Sequence, residues 1–318
     1  MLRVRRLTEA DLPAITELAA DRGWPPELSK WRLMLAVSEA FGVDDPAGGL
    51  AGVVVLTRYG AGLAAIGMML VATRHGRKGL GGQLLRHALD LAGDAVVYLT
   101  ATSYGRPLYE RLGFAAIDTS VTFRGRLPAS PRLPSGEPAG AAPGQAAPGQ
   151  PAPGQPGQAA PVGSGGPVRG LPRRIEAADL VAVQAVDALV FGADRGRVLR
   201  ELLDFADEFM LGGCVGGGCA GDGCAGGGYG AAWAKDGSRV IGPIVAPDTG
   251  AAARLIAALA AGWAGPVRLD ILGRHRELAA WAASSGLTAG NQTALMVRGG
   301  NLPGDRSRLY CPVTVAIG

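Results

Sequence analysis

The run Val71-Ala72-Thr73-Arg74-His75-Gly76-Arg77-Lys78-Gly79-Leu80-Gly81-Gly82-Gln83-Leu84-Leu85 joins a wholly apolar segment to an amphipathic one through a cluster of glycines. The segment before it, Leu63 to Val71, reads as a buried central strand, and Gly79 to Leu91 reads as a helix. Gly79, Gly81 and Gly82 let backbone approach a ligand closely at positive φ without steric penalty. The N–H groups that open the following helix lack intrahelical acceptors and carry the positive end of its dipole. Arg77 and Lys78 add charge beside them, so the stretch reads as a cradle for a phosphate or pyrophosphate. A plain tight turn before a helix would use the same residues.

Two common phosphate motifs are excluded by spacing. A P-loop requires G-x-x-x-x-G-K-[ST], which is absent, and the dinucleotide fingerprint requires glycine where Leu84 stands. That fingerprint also follows the first strand of a βαβ unit, whereas this cluster follows a late strand.

Working outward, the preceding residues read as a strand from Leu2 to Leu7 and a helix capped by Thr8 or Asp11 and running to about Asp21. A helix from about Pro26 to Ser38 and strands near Ala40–Asp44 and Leu50–Leu56 come next. After the cradle come a strand over Val96–Ala101, a short helix over Pro107–Leu112, and strands over Phe114–Ile117 and Val121–Arg124. Alternating strands and helices with an early hairpin predict a mixed α/β sheet covered on both faces.

Gly76-Arg77-Lys78-Gly79-Leu80-Gly81 resembles the acetyl-CoA loop Q/R-x-x-G-x-G/A of the GNAT superfamily of N-acetyltransferases, with Gly76 in the first position. Leu108-Tyr109-Glu110-Arg111-Leu112-Gly113-Phe114 resembles the end of a second family element, N-x-x-A-x-x-L-Y-x-x-x-G-F, with Thr102 and Gly105 at its Asn and Ala positions. The resemblance covers Met1 to about Arg126 and implies acetyl-CoA as co-substrate, held by Leu70, Val71, Arg77, Lys78, Gly79, Leu80, Gly81 and Gly82. It also implies direct attack by an amine acceptor, either a small molecule or a protein. The splayed end of the central strand around Leu70 and Val71 would offer an N–H to the oxyanion, and Tyr109 would protonate the leaving thiolate. At reference values that transfer is uphill by about 2 kcal/mol. The strand holds no carboxylate, which leaves Glu39 or a water held near Thr102 and Ser103 as guesses for the base.

A second copy is legible further along. Arg5-Arg6-Leu7-Thr8-Glu9-Ala10-Asp11-Leu12 aligns with Arg173-Arg174-Ile175-Glu176-Ala177-Ala178-Asp179-Leu180. Ile66-Gly67 aligns with Ile241-Gly242, Gly113-Phe114 with Gly286-Leu287, and Phe123-Arg124-Gly125 with Val297-Arg298-Gly299. The expected organisation is therefore two GNAT-like domains, each a mixed twisted sheet flanked by helices, over 1–126 and 173–318. Between them, 127–172 holds twelve of the 22 prolines and an A-P-G-Q repeat, which predicts a disordered Pro/Gly/Gln-rich linker. The second copy has Ala246-Pro247-Asp248-Thr249-Gly250 in place of the cradle and Ala282 in place of Tyr109, so it is expected not to acetylate anything. Completing the sheet, covering the acceptor site and mediating a homodimer are the roles open to it.

Composition narrows the rest. The net charge of +4 comes from scattered basic residues, which argues against nucleic acid. No apolar run reaches the length of a membrane helix, and the charged start MLRVRRLTEAD is unlike a secretory signal, so a cytoplasmic protein is expected. Cys214, Cys219 and Cys224 recur every five residues in a glycine-rich hairpin tip without a nearby histidine, and no metal site is expected. Trp24 and Trp31 are candidates for core or for the acceptor-pocket wall. A non-catalytic acyl-CoA-binding or sensing module and a structural scaffold remain the rival readings.

Overall fold

A computed structural model describes residues 3–24, 27–134, 168–169, 171–215 and 228–317. In chain order the elements are β1 (Val4–Leu7), α1 (Leu12–Asp21), α2 (Leu28–Val37), β2 (Glu39–Asp44), β3 (Leu50–Tyr59), β4 (Leu63–Val71), α3 (Leu80–Ala92), β5 (Val96–Ala101), α4 (Arg106–Arg111) and β6 (Ala115–Gly125). There follow β7 (Val168–Arg169), β8 (Arg173–Arg174), α5 (Leu180–Phe191), α6 (Gly196–Phe205), β9 (Glu208–Leu211), β10 (Cys214–Val215), β11 (Tyr229–Lys235), β12 (Ser238–Val245), α7 (Thr249–Ala260), β13 (Val267–Leu272), α8 (Arg276–Ser284), β14 (Leu287–Arg298) and β15 (Leu309–Cys311). Most of the linker expected over 127–172 lies outside the described residues, as do Cys219 and Cys224. Among the described residues, no helix is long and apolar enough to cross a membrane.

Apart from β7 and β10, which pair with each other, the strands of the two repeats form one continuous sheet of 13, ordered β1-β2-β3-β4-β5-β14-β6-β13-β12-β11-β9-β8, with β15 on β12. The two repeats exchange one strand each, β6 and β14. β14 inserts between β5 and β6, while β6 lies between β14 and β13. The second copy thus completes the first copy's sheet and receives the same service in return. The packing repeats the exchange: Ala294 and Met296 of β14 join the core under α3, whereas Phe123 of β6 joins the core under α7 and α8. A third core is common to both repeats, with α1 and α2 meeting α5 and α6.

The two short strands expected over Phe114–Ile117 and Val121–Arg124 are one strand, β6. Pairing on both edges holds it extended, and bulges in its register with β14 between Ala289/Gln292 and Leu295/Met296 absorb the irregularity.

The helix of the cradle forms for a local reason. Leu80, Leu84, Leu85, Ala88 and Leu89 fall on one face of α3 and are all buried against β3 and β4. Each of these leucines stabilises the fold by about 1.5–3 kcal/mol through removal from water. Beyond β15 the chain crosses under both central strands. A Cβ on Gly67 would stand 2.5 Å from the Ala316 oxygen, and one on Gly242 would stand 2.4 Å from the Pro312 oxygen. Tyr59 and Tyr98 both donate their hydroxyls to the Ile317 oxygen.

Candidate functional site

The site is built where β4 and β5 part. Their parallel pairing runs from Leu63↔Val96 to Ile66↔Leu99 and stops there. β4 continues to Val71 paired with β3 alone, through a register shift between Val53 and Val55 that leaves an extra residue on β4. Met68 takes up that residue at φ +49°. The left-handed backbone of this side chain costs about 1–2 kcal/mol and turns the end of β4 away from β5. The opening is a cleft of about 700 Å³, walled on one side by Met69, Leu70 and Val71 and on the other by Thr102, Gly105, Pro107, Leu108 and Tyr109.

At one end lies the glycine cluster. Gly79 is the N-cap of α3 at φ +84°, a conformation that suits glycine, and Arg77 is also left-handed at φ +59°. The first intrahelical bond runs from Gln83 N to Gly79 O, so the N–H groups of Leu80, Gly81 and Gly82 have no acceptor within the helix. Two left-handed residues, Arg77 and Gly79, ahead of a helix start with free N–H groups suit the approach of an anion. Arg22, Arg77, Arg111 and His75 line the cleft, and among the described residues no carboxylate does. Arg86, one turn into α3, folds its guanidinium back to within 3.5 Å of where a Cβ on Gly82 would stand.

The loop that leads into this end is anchored from below. Asp45, in the turn between β2 and β3, accepts from Ala47 N at 2.8 Å, from Arg74 Nε at 2.5 Å, and meets His75 Nε2 at 2.5 Å. Chiefly the backbone N–H of Ala47, and then the two side chains, hold its carboxyl at about 2. Across the mouth, Arg22 lies 5.8 Å from the centre of the Tyr104 ring and donates to Thr73 Oγ1 at 3.1 Å.

Of the residues singled out from sequence, Leu70, Val71, Arg77, Gly79, Gly81, Gly82 and Tyr109 line the cleft. Leu80 is buried beneath it, and Lys78 is exposed and does not line it. Tyr109 is 8 % exposed, packs edge-on against Phe114 at 6.1 Å, and has its phenol pushed up to about 12 by burial. Glu39, a guess for the base, is elsewhere. It lies on β2, which β3 separates from the cleft wall β4, and it pairs with Arg58 at 3.5 Å. Thr102 lines the cleft, but Ser103 does not. Trp24 is part of the wall, while Trp31 is core, at 1 % exposure. Sequence reasoning missed Arg22, Tyr104, Arg86 and Arg111. The last two were marked by spacing, four residues after Gly82 and two after Tyr109.

The corresponding place in the second half is closed. Pairing of β12 with β13 also stops at an isoleucine, Ile241↔Leu269, but β15 then pairs with β12 through Ile244 and Val245 and occupies the gap. At the start of α7 the Asp248 carboxylate accepts from Ala251 N at 2.7 Å, so an acid caps the helix where a phosphate would sit. The cap is Asp248, while Thr249 donates to Glu277 at 3.1 Å. Ala282 is fully buried. The chain leaving β6 crosses the same face: Trp281 Nε1 donates to the Arg132 oxygen at 3.0 Å, and the Pro134 oxygen lies 3.8 Å from where a Cβ on Gly250 would stand.

Residues 34–116 and residues 183–311 each match a model of an acetyltransferase (GNAT) domain. The chain is 23 % identical, over 98 % of its own length and 97 % of the other's, to YitH, an uncharacterised N-acetyltransferase of Bacillus subtilis (strain 168). Its fold is shared with a Pyrococcus horikoshii protein at a TM-score of 0.72, 18 % identity, and coverage of 100 % of this chain and 96 % of the other. A tandem GNAT protein from the clavulanic acid biosynthesis pathway gives a TM-score of 0.57 at 15 % identity, with 95 % and 99 % covered.

Proposed function

Because the chain belongs to the GNAT acetyltransferases and carries two such domains in tandem, we propose that its first domain, residues 1–126, moves an acetyl group from acetyl-CoA to an amine. The domain over 173–318 then serves as a degenerate partner. The observation that carries this reading is the contrast between the two β-strand gaps: that of β4 and β5 is an open cleft leading from the glycine cradle to Tyr109, and that of β12 and β13 is filled by β15. Among the described residues, arginines line the open cleft without a carboxylate, which suits a ligand carrying several phosphate charges.

In this reading the pyrophosphate sits on the amides of Leu80, Gly81 and Gly82 with Arg77 beside it, and the thioester reaches the turned end of β4. The acceptor nitrogen adds its lone pair to the thioester carbonyl carbon, and the oxygen takes the negative charge against a backbone N–H of Leu70 or Val71. Collapse re-forms the carbonyl and breaks the carbon–sulfur bond. The sulfur takes a proton from Tyr109, the acylated nitrogen loses one to solvent in the cleft, and the phenolate takes one back from solvent before the next turnover. Burial changes the energetics expected from reference values. With the phenol at about 12 and a thiol near 8.5, full transfer is uphill by about 5 kcal/mol, so the proton moves together with bond cleavage rather than before it.

Calorimetry with acetyl-CoA on the intact protein and on Gly81→Glu tests the placement. A Cβ on Gly81 stands within 3.4–3.7 Å of Leu108, Met69 and Val71, so the glutamate enters the cleft with the wrong charge. Binding abolished by the variant supports the reading, and binding it leaves intact refutes it. The absence of a carboxylate among the described cleft-lining residues favours one rival, an acyl-CoA-binding module without turnover. Tight binding with no product across an amine panel would select that rival.

A further inference from the structure

The cleft is reached from both faces of the sheet, because the free end of β4 stands between them. Met69 and Val71 pack with the core under α3, and a Cβ on Gly81 would meet both side chains together with Leu108 of α4. Leu70 packs the other way, into the core beneath α1 and α2. The glycine cradle thus belongs to one face of β4, with Arg77 just ahead of it and Arg111 on α4. Arg22 and Trp24, which follow α1, line the cleft from the opposite face.

This second mouth keeps two rings in water. Among the described residues, Trp24 and Tyr104 are the exposed Trp, Tyr or Phe side chains, at 39 % and 70 %, and both line the cleft. Arg22 stands beside them, 5.8 Å from the centre of the Tyr104 ring. Its Nη1 donates to an uncharged acceptor, Thr73 Oγ1, at 3.1 Å. The carboxylate next to it in sequence, Asp21, accepts instead from Thr73 N at 2.7 Å. Among the described residues Arg22 forms no ion pair, and its other two nitrogens are neither partnered nor buried, so they are open to a ligand.

Charge selects the acceptor that can enter here. A simple amine is a cation at neutral pH, and at this mouth it meets a guanidinium and, among the described residues, no carboxylate. An amine that also carries a carboxylate reverses the sign of that encounter. The planar fork of an arginine takes a carboxylate in paired, charge-assisted hydrogen bonds, and indole and phenol rings take a flat apolar group. One guanidinium matches the single charge of a carboxylate and leaves a doubly charged phosphate unbalanced. Resting on the acetyl transfer argued above, we propose that the acceptor is an amino acid with an aromatic side chain, its carboxylate held by Arg22 and its ring by Trp24 and Tyr104.

The test is calorimetry on the full chain saturated with CoA. It is titrated with N-acetyl-L-phenylalanine and with N-acetylphenethylamine, the same product without the carboxylate, and neither titration needs turnover. The acid is expected to bind at least about tenfold more tightly than the neutral amide. Arg22→Gln is expected to remove that difference by weakening the acid alone, with CoA affinity unchanged within twofold. Trp24→Ala is expected to weaken both amides alike. Equal binding of the two by the unaltered protein would overturn the proposal, as would binding of neither. A loss of CoA affinity in Arg22→Gln as large as the loss for the acid would also overturn it, by placing Arg22 on the phosphates. Failure of CoA itself to bind is seen before either amide is added, and it would overturn the transfer reading and this one together.

Discussion

Trp281 donates its indole N–H to the main-chain oxygen of Arg132 at 3.0 Å, and this bond holds the chain leaving β6 across the face of α8. Together with β15 in the strand gap and Asp248 on the helix start, it closes the second cleft in three independent ways. Acetyl-CoA is therefore expected to bind with a stoichiometry of one per chain. Trp281→Phe should keep that value while lowering stability by about 1 kcal/mol, because one obstacle is removed and two remain. Calorimetric titration of both proteins decides, and a stoichiometry of two in either would show that the second cleft opens.

Tyr109 separates turnover from binding. Its ring lies over Gly105, where an added Cβ would stand 3.0 Å from Cε2, so the phenol is held by packing rather than by the ligand. Tyr109→Phe keeps that packing and removes the proton. We expect kcat to fall about 10²-fold with acetyl-CoA affinity unchanged within twofold. Since burial keeps the phenol protonated up to about 12, the ratio of the two kcat values should be the same at pH 7 and pH 9. A ratio that shrinks toward pH 9 would mean that the proton donor ionises well below that value.

Asp45 governs acid stability near the cradle. Its carboxyl is held at about 2, below the unfolded value of 3.8, so its contribution is present above pH 4 and is lost as pH falls toward 2. Over that interval Tm of the unaltered protein should fall more steeply than that of Asp45→Asn. At pH 7 the variant should bind acetyl-CoA several-fold more weakly, because Arg74 and His75 lose the group that fixes the loop ahead of Arg77. Parallel melting curves between pH 4 and pH 2 would count against this role.

Much of this was legible in the sequence, and the limit is physical. The cradle and Tyr109 are written in local spacing: glycines where backbone must turn, and a Leu-Tyr pair one helix after a strand. Met68 at φ +49° leaves no such trace, since nothing in an apolar strand marks which residue will bulge. The anchoring of Asp45 to Arg74 and His75 is invisible for a different reason, because a turn Asp followed by Pro reads as a turn and nothing more. Strand exchange is harder still. β6 and β14 derive from equivalent segments, and either would fit beside β5 by pattern alone, so the choice is made by the whole molecule.

That choice has a consequence for the isolated first domain. Without β14, the exposed edges of β5 and β6 face each other across a missing strand, and Met296 no longer fills the core beneath α3. Five residue pairs between β14 and β5, from Ala294↔Ala101 to Arg298↔Val97, lose their backbone bonds at once. Unpaired strand edges recruit other chains. Residues 1–134 expressed alone should therefore not give a stable monomer but should self-associate, with one copy's β6 offered to another's gap. Supplying residues 171–318 in trans should convert the material to a one-to-one complex that melts cooperatively. Sedimentation of the fragments apart and mixed provides the check. A monomeric 1–134 fragment that unfolds cooperatively, near the Tm of the full chain, would show that the first domain closes its own sheet.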